Sequence, residues 1–365
     1  MNLLHFLLPS LISLNLTINQ NSHTFQDSFK SFAEFSPNLR TLCINMAQVD
    51  VAFSNFLSRC ICQWQNLQTV TCPLVVFTAD ALMHLSHMPA LTGLYFTLPV
   101  ILPASNTLLC FPNLTDMKLR SGMPRQAIQL LSQTRLPTIR SFITFIGDFP
   151  SKPEFHSFLA GVQTSGAGNV IEELRLRQLL LPWNNALRPE AVSLRLDDLR
   201  TCVRFRNLRI FHLKIRWNVD LADNDLLTLS SAWPHLEEFI INDTLGWNTR
   251  SGITPDGLLQ LLKICRSLRC IALAMDARGY TEVPRSPENL RVVLSDRFII
   301  DVLDSTIEAE SVPALSAFFA NVTRAKFGSS AWCGMQMVKP PGWEVHQERW
   351  NEVFRQANKI ISQRS

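Results

Sequence analysis

The sequence is short of charge. Asp, Glu, Lys and Arg supply 18% of its 365 residues, against roughly a quarter in an ordinary soluble chain, and the formal net charge is only +4. That balance excludes a dedicated nucleic-acid binder, whose domain is strongly basic. A hydrophobic share of 47% excludes a disordered chain. With 13 glycines and 20 prolines there is no collagen-like or low-complexity stretch. No CxxC pair occurs, so zinc-finger and zinc-ribbon readings lapse. Cys60-Ile61-Cys62 has the wrong spacing for a knuckle and reads as small buried hydrophobes. The nine cysteines are odd in number and scattered through apolar runs, which predicts reduced thiols and a cytoplasmic or nuclear protein. No apolar run reaches about 18 uncharged residues, so no transmembrane helix and no membrane partner are expected. The apolar opening, residues 1–10, lacks a positive flank and is interrupted at Pro9, unlike a signal peptide.

Enzyme signatures are missing as well. There is no GxSxG elbow, no Walker loop and no GxGxxG between a strand and a helix. Ser165-Gly166-Ala167-Gly168-Asn169 precedes a predicted strand and reads as a loop. His84-Leu85-Ser86-His87 has neither the Glu nor the spacing of a zincin helix. Asp220, Asp223 and Asp225 lack the central Gly and twelfth-position Glu of a calcium loop. They suit the N-terminus of a helix, where acidic side chains complement the dipole. The expectation is a non-catalytic protein with no cofactor, no metal and no catalytic residues.

What is present is a repeat. An apolar residue, two spacers, an apolar residue, one spacer and an apolar residue recur along the chain. The copies are Leu11-Leu14-Leu16, Leu39-Leu42-Ile44, Leu67-Val70-Cys72, Leu91-Leu94-Phe96 and Leu114-Met117-Leu119. They continue through a degenerate Ile139-Phe142-Thr144 to Ile171-Leu174-Leu176, Leu208-Phe211-Leu213, Leu236-Phe239-Ile241 and Leu268-Ile271-Leu273, with a weaker copy at Leu290. A Pro-x-Leu lead-in recurs before the triplets, as at Pro9, Pro37, Pro112 and Pro234. First positions are spaced 23 to 37 residues apart, around the 20–29 of leucine-rich repeats with room for inserted loops.

Helix-compatible segments separate the triplets. Phe25, Phe29 and Phe32 share one helical face, as do Phe53, Phe56, Leu57 and Cys60. Thr78 and Thr254 are predicted N-caps, the second followed by Pro255 at the first helical position. A strand plus a helix cannot bury its apolar side alone, but stacked copies form a continuous core. Composition by length predicts roughly two domains at about 150 residues each. The repeat predicts instead an α/β leucine-rich-repeat solenoid over residues 1–280, its curved parallel sheet concave and its helices convex. A C-terminal capping region follows over 281–365, with helices near Ser311 and from Glu344 to the end, the latter carrying Trp350, Val353 and Phe354.

Alternate residues of a strand face opposite sides. If the triplets point inward, the intervening positions face the concave side. Basic residues concentrate there in the middle of the chain: Lys118, Arg120, Arg175, Arg177, Lys214 and His212, with Tyr95 nearby. Guanidinium groups bind carboxylates and phosphates in a bidentate fashion, so these seven residues are the candidate protein-binding site, for an acidic or phosphorylated segment of a partner. The competing reading is a solvated strand face with incidental charges.

Several stretches carry a family resemblance. Residues 217–237, Gly246-Trp247-Asn248-Thr249, Gly252-Ile253-Thr254-Pro255, Arg278-Gly279-Tyr280-Thr281-Glu282 and Ile307 to Pro313 resemble the F-box proteins with leucine-rich repeats of mushroom-forming fungi (basidiomycetes), a likeness that runs the full length. The resemblance implies a substrate-recognition subunit of an SCF-type ubiquitin ligase. In that family the F-box docks on the adaptor subunit and the repeats hold the protein substrate. The F-box itself, a helical module with a Leu-Pro-x-Glu opening, is missing here, because the sequence starts in a repeat strand at Leu11. The adaptor is therefore an expected partner only if an F-box lies upstream. The alternative is a stand-alone interaction scaffold that recruits no ligase.

Overall fold

The computed structural model describes residues 9–18, 36–99, 108–148, 150–179, 192–282, 298–322, 328–334 and 339–364. It is a mixed α/β structure built on parallel strands. By compactness the chain divides into two units: Met1–Ile171 with Gln178–Leu181, and Glu172–Arg177 with Pro182–Ser365.

In the first unit, β1 (Ser13–Ile18), β2 (Thr41–Met46), β3 (Thr69–Val76), β4 (Gly93–Thr97), β6 (Asp116–Ser121) and β8 (Ser141–Ile146) lie side by side in that order. The middle residues of the triplets form one matched row: Leu14, Leu42, Val70, Leu94, Met117 and Phe142 pair strand to strand. The register slips only after Thr71 of β3, next to Pro73, which has no N–H to give the ladder. Two short strands, β5 (Leu109–Cys110) and β7 (Thr134–Arg135), pair separately.

In the second unit, β9 (Glu173–Gln178), β11 (Ile210–Lys214), β13 (Glu238–Ile241), β14 (Cys270–Ala272), β15 (Ile299–Asp301) and β16 (Gly328–Ser330) are likewise parallel, with Leu174, Phe211, Phe239, Ile271 and Ile300 in register. Strands β10 (Ser193–Leu194) and β12 (Asn218–Val219) form a separate short pair. The ladder thus continues past residue 280 into β15 and β16. The weaker triplet at Leu290 and the helical face of Phe25, Phe29 and Phe32 lie outside the described residues.

A common backbone device starts most strands of the ladder. The carbonyl of Arg40 accepts from both Gln68 and Thr69, that of Gln68 from Thr92 and Gly93, and that of Thr92 from Thr115 and Asp116. In the second unit the carbonyls of Glu172, Arg209 and Glu237 do the same for the next strand. Asparagines after the lead-in prolines tie the turns together: Asn38 Nδ2 donates to the Pro9 carbonyl at 3.0 Å and Asn113 Nδ2 to that of Pro89 at 2.8 Å. Repetition in the sequence is therefore repetition of one hydrogen-bonding scheme.

The helices follow from caps and apolar faces. Asp50 accepts from Phe53 N at 2.6 Å and opens the helix Val51–Ile61, which buries Phe53, Phe56, Leu57 and Cys60. Thr78 caps Ala79–Ser86, and Ser151 with Glu154 forms a capping box on Lys152–Thr164. Thr254 caps Pro255–Ile264 through Gly257 N. The cluster read as acidic helix complement divides its work. Asp225 accepts from Ala222 N at the start of Asp223–Ala232, while Asp223 holds the amide and hydroxyl of Thr254.

These helices pack on the triplet face. Phe142 lies 6.0 Å from Phe158, and Trp233 lies 5.0 Å from Phe211, ring centre to ring centre. Except in β1, where Leu11, Leu14 and Leu16 are half-buried, every triplet residue from Leu39 to Leu273 is buried. Burial of side chains this size is the main source of stability, about 1.5–3 kcal/mol each. After β14 come the helices Val312–Val322 and Trp343–Arg364, joined by Phe318, Phe319, Trp350 and Phe354. Trp332 and Trp350 both donate their indole N–H to the Ser305 carbonyl, at 3.0 and 3.1 Å.

Candidate functional site

The sheet faces that alternate with the buried triplets carry all seven candidate residues, divided between the two units. In the second unit, three rows cross β9 and β11. Glu173 is paired with Ile210 and, on the next strand, Glu238; Arg175 with His212 and Ile240; Arg177 with Lys214.

Arg175 spends its guanidinium inside this cluster. Its Nε donates to Glu173, its Nη1 to His212 Nδ1 at 2.8 Å, and its Nη2 faces Glu238 Oε2 at 3.5 Å. Arg269 adds a second cation on Glu238, at 3.1 Å. His212 lies at the centre, only 4% exposed. Arg177 Nη2 also donates to its Nδ1, at 3.1 Å, while its Nε2 meets Glu238 Oε2 at 2.9 Å.

Guanidinium groups only donate and a carboxylate only accepts. Nδ1 must therefore be the bare, accepting nitrogen, and Nε2 must carry the proton given to Glu238. That fixes one neutral tautomer. Burial, and then the positive charges of Arg175 and Arg177, hold the ring's pKa down to about 3. His212 is thus no cation at neutral pH; it is buried, and its Nδ1 holds both arginines.

Arg177 is in a different state from Arg175. Its acceptor is neutral, and no carboxylate lies within ion-pair distance of it among the described residues. Lys214, next to it in register, is half-buried; burial lowers its pKa, against the pull of Asp243 and with a smaller push from Arg177. Two adjacent cations with incomplete compensation remain on this face.

In the first unit, Lys118 is exposed and Arg120 half-buried on β6. Neither makes an ion pair among the described residues. On the flanking strands, Tyr95 of β4 and Phe145 of β8 reach across β6 and stack, 6.2 Å between ring centres at 29°. Both rings are half-buried. Phe145 is the residue that charge-seeking along the sequence passes over: it occupies an intervening position, but its significance lies in meeting Tyr95 from two strands away.

The sequence also left Glu173 and Glu238 unweighted. Both sit in the row immediately before the Arg175 row, and summing charge by rows across strands would have exposed them as the counter-charges of Arg175. The sequence matches no protein-family model and no characterised protein.

Proposed function

We propose that the chain is a non-catalytic leucine-rich-repeat solenoid that binds another polypeptide on the exposed face of its parallel strands. On the strength of the family resemblance, we assign it the role of a substrate-recognition subunit of an SCF-type ubiquitin ligase in the cytoplasm or nucleus. The observation that carries the reading is the in-register stack of triplets. Each triplet strand buries its Leu-type residues and turns its alternate residues outward, so within each unit successive copies present a regular array of side chains. Such an array suits an extended polypeptide better than a small substrate. Lys118, Arg120, Arg177 and Lys214, none of them in an ion pair among the described residues, favour an acidic or phosphorylated segment.

The test is affinity purification of the tagged full chain from fungal cells, compared with a variant carrying Arg177→Glu and Lys214→Glu. The reading requires a protein partner lost in the variant while its circular dichroism spectrum and melting curve stay unchanged. Co-elution of an SCF adaptor and a cullin supports the ligase role; a partner without them supports a scaffold. Identical partners from both proteins, or none from either, would refute recognition by this face.

A further inference from the structure

The first unit holds an anchor of its own. We propose that Tyr95, Phe145, Lys118 and Arg120, with the crevice beside them, bind an extended polypeptide segment in which an Asp or Glu lies two or three positions from a large apolar residue. This rests on the reading of the chain as a polypeptide binder and adds the chemistry of what is bound.

Three observations converge. The first is charge. Lys118 and Arg120 stand on the same face of β6, two residues and so about 7 Å apart, with no ion pair among the described residues. In the second unit, by contrast, Arg175 has Glu173 and Glu238 within its reach. Asp116 shares this face one step before Lys118 and accepts from the Thr115 hydroxyl, but neither cation is held in an ion pair among the described residues, so an incoming carboxylate can gain there.

The second observation is the aromatic pair. Tyr95 and Phe145 stack across β6 and are half-buried, so part of each ring stays accessible. Neighbouring outward positions on β2 and β3 hold small residues, Thr41, Cys43, Thr69 and Thr71. The two rings therefore stand above a low floor and form a wall. Tyrosine and arginine together in a partly desolvated setting are the residue types that dominate binding energy at protein interfaces.

The third is the crevice, of about 570 Å³, lined by Val49, Leu74, Arg120, Gly122, Gly147 and Leu179 among others. It opens where β4, β6 and β8 end, the edge at which parallel sheets leave room for ligands. Its lining is mostly apolar. Its floor is bare backbone: Gly147 N donates to the Ser121 carbonyl at 2.8 Å, and a Cβ on Gly147 would come within 2.8 Å of the Gly122 oxygen. Arg120 belongs both to the crevice wall and to the charged row. An apolar side chain seated in the crevice thus has a guanidinium beside it and an ammonium one two-residue step further on, which sets the two-to-three-residue spacing.

The experiment is selection of a random dodecapeptide phage library on the immobilised full-length protein. Selected peptides are resynthesised and measured by fluorescence anisotropy. Enrichment of Asp or Glu two or three positions from Leu, Ile, Phe or Met is expected. So is at least tenfold weaker binding to the variant Lys118→Glu with Arg120→Glu, and a comparable loss with Leu74→Ser, which leaves the charges in place. Thermal melts check that both variants fold. Peptides of another pattern, with affinity unaffected by these substitutions, would overturn this anchor and leave the polypeptide-binding reading standing. No enrichment of any sequence would overturn both.

Discussion

Acidification should weaken this protein through His212 before most other groups. In the folded chain the ring is neutral with a pKa of about 3; free in the unfolded chain its value is 6.5. Between those limits the unfolded state binds a proton that the folded state excludes, so stability is complete above about 6.5 and falls as the pH drops towards 3. The slope approaches about 1.4 kcal/mol per pH unit, which puts the loss between pH 7 and pH 5 at about 2 kcal/mol. Other groups titrate in the same window, so the comparison must isolate this ring. His212→Gln does so: an amide can accept from Arg175 and donate to Glu238 but cannot take up a proton. Urea unfolding of both proteins at pH 7 and pH 5 should show the wild type losing about 2 kcal/mol more than the variant. Nitrogen NMR of the ring should report the tautomer protonated at Nε2 down to about pH 4. Equal losses in the two proteins, or a ring titrating near 6.5, would refute the assignment of a neutral, twice-accepting Nδ1.

Other substitutions test the packing. Thr144 fills the last place of the degenerate triplet, fully buried, with no partner for its hydroxyl among the described residues; Thr144→Val should raise stability by about 1 kcal/mol, measured by chemical denaturation. Trp350 is fully buried and holds the Ser305 carbonyl, so Trp350→Ala should cost about 3–5 kcal/mol and lower the melting temperature sharply. Native-state alkylation followed by peptide mapping should modify exposed Cys110 and Cys333 first. Cys72 and Cys202, whose thiol pKa values burial pushes far up, should react only on unfolding.

The architecture was largely legible because its signal is periodic. Each triplet places apolar side chains at the only positions that a strand with one buried face allows, and ten copies leave little freedom of interpretation. Caps were equally readable: Thr78 and Thr254 sit where a hydroxyl must meet the free N–H groups of a helix start. Local rules failed where partners come from far along the chain. Asn113, in the turn before β6, holds the Pro89 carbonyl 24 residues earlier, which no local pattern announces. The end of the ladder was placed at residue 280, yet β15 and β16 follow; Arg297 stands where the first apolar residue of a triplet with Ile300 and Val302 would be, and β16 reads Gly-Ser-Ser, so neither shows the pattern.

By itself, then, the order of residues determined the triplet strands, their inward and outward faces and several helix starts, since those depend on spacing within a few positions. Tertiary structure alone decided what the outward charges do. Arg175 and Arg177 are two residues apart and chemically identical. One faces carboxylates from its own strand and from β13, while the other leans on a neutral imidazole of β11. Apart from Glu173, two positions before Arg175, the partners lie 35 to 63 positions away, and only the register of the strands brings them within hydrogen-bonding distance.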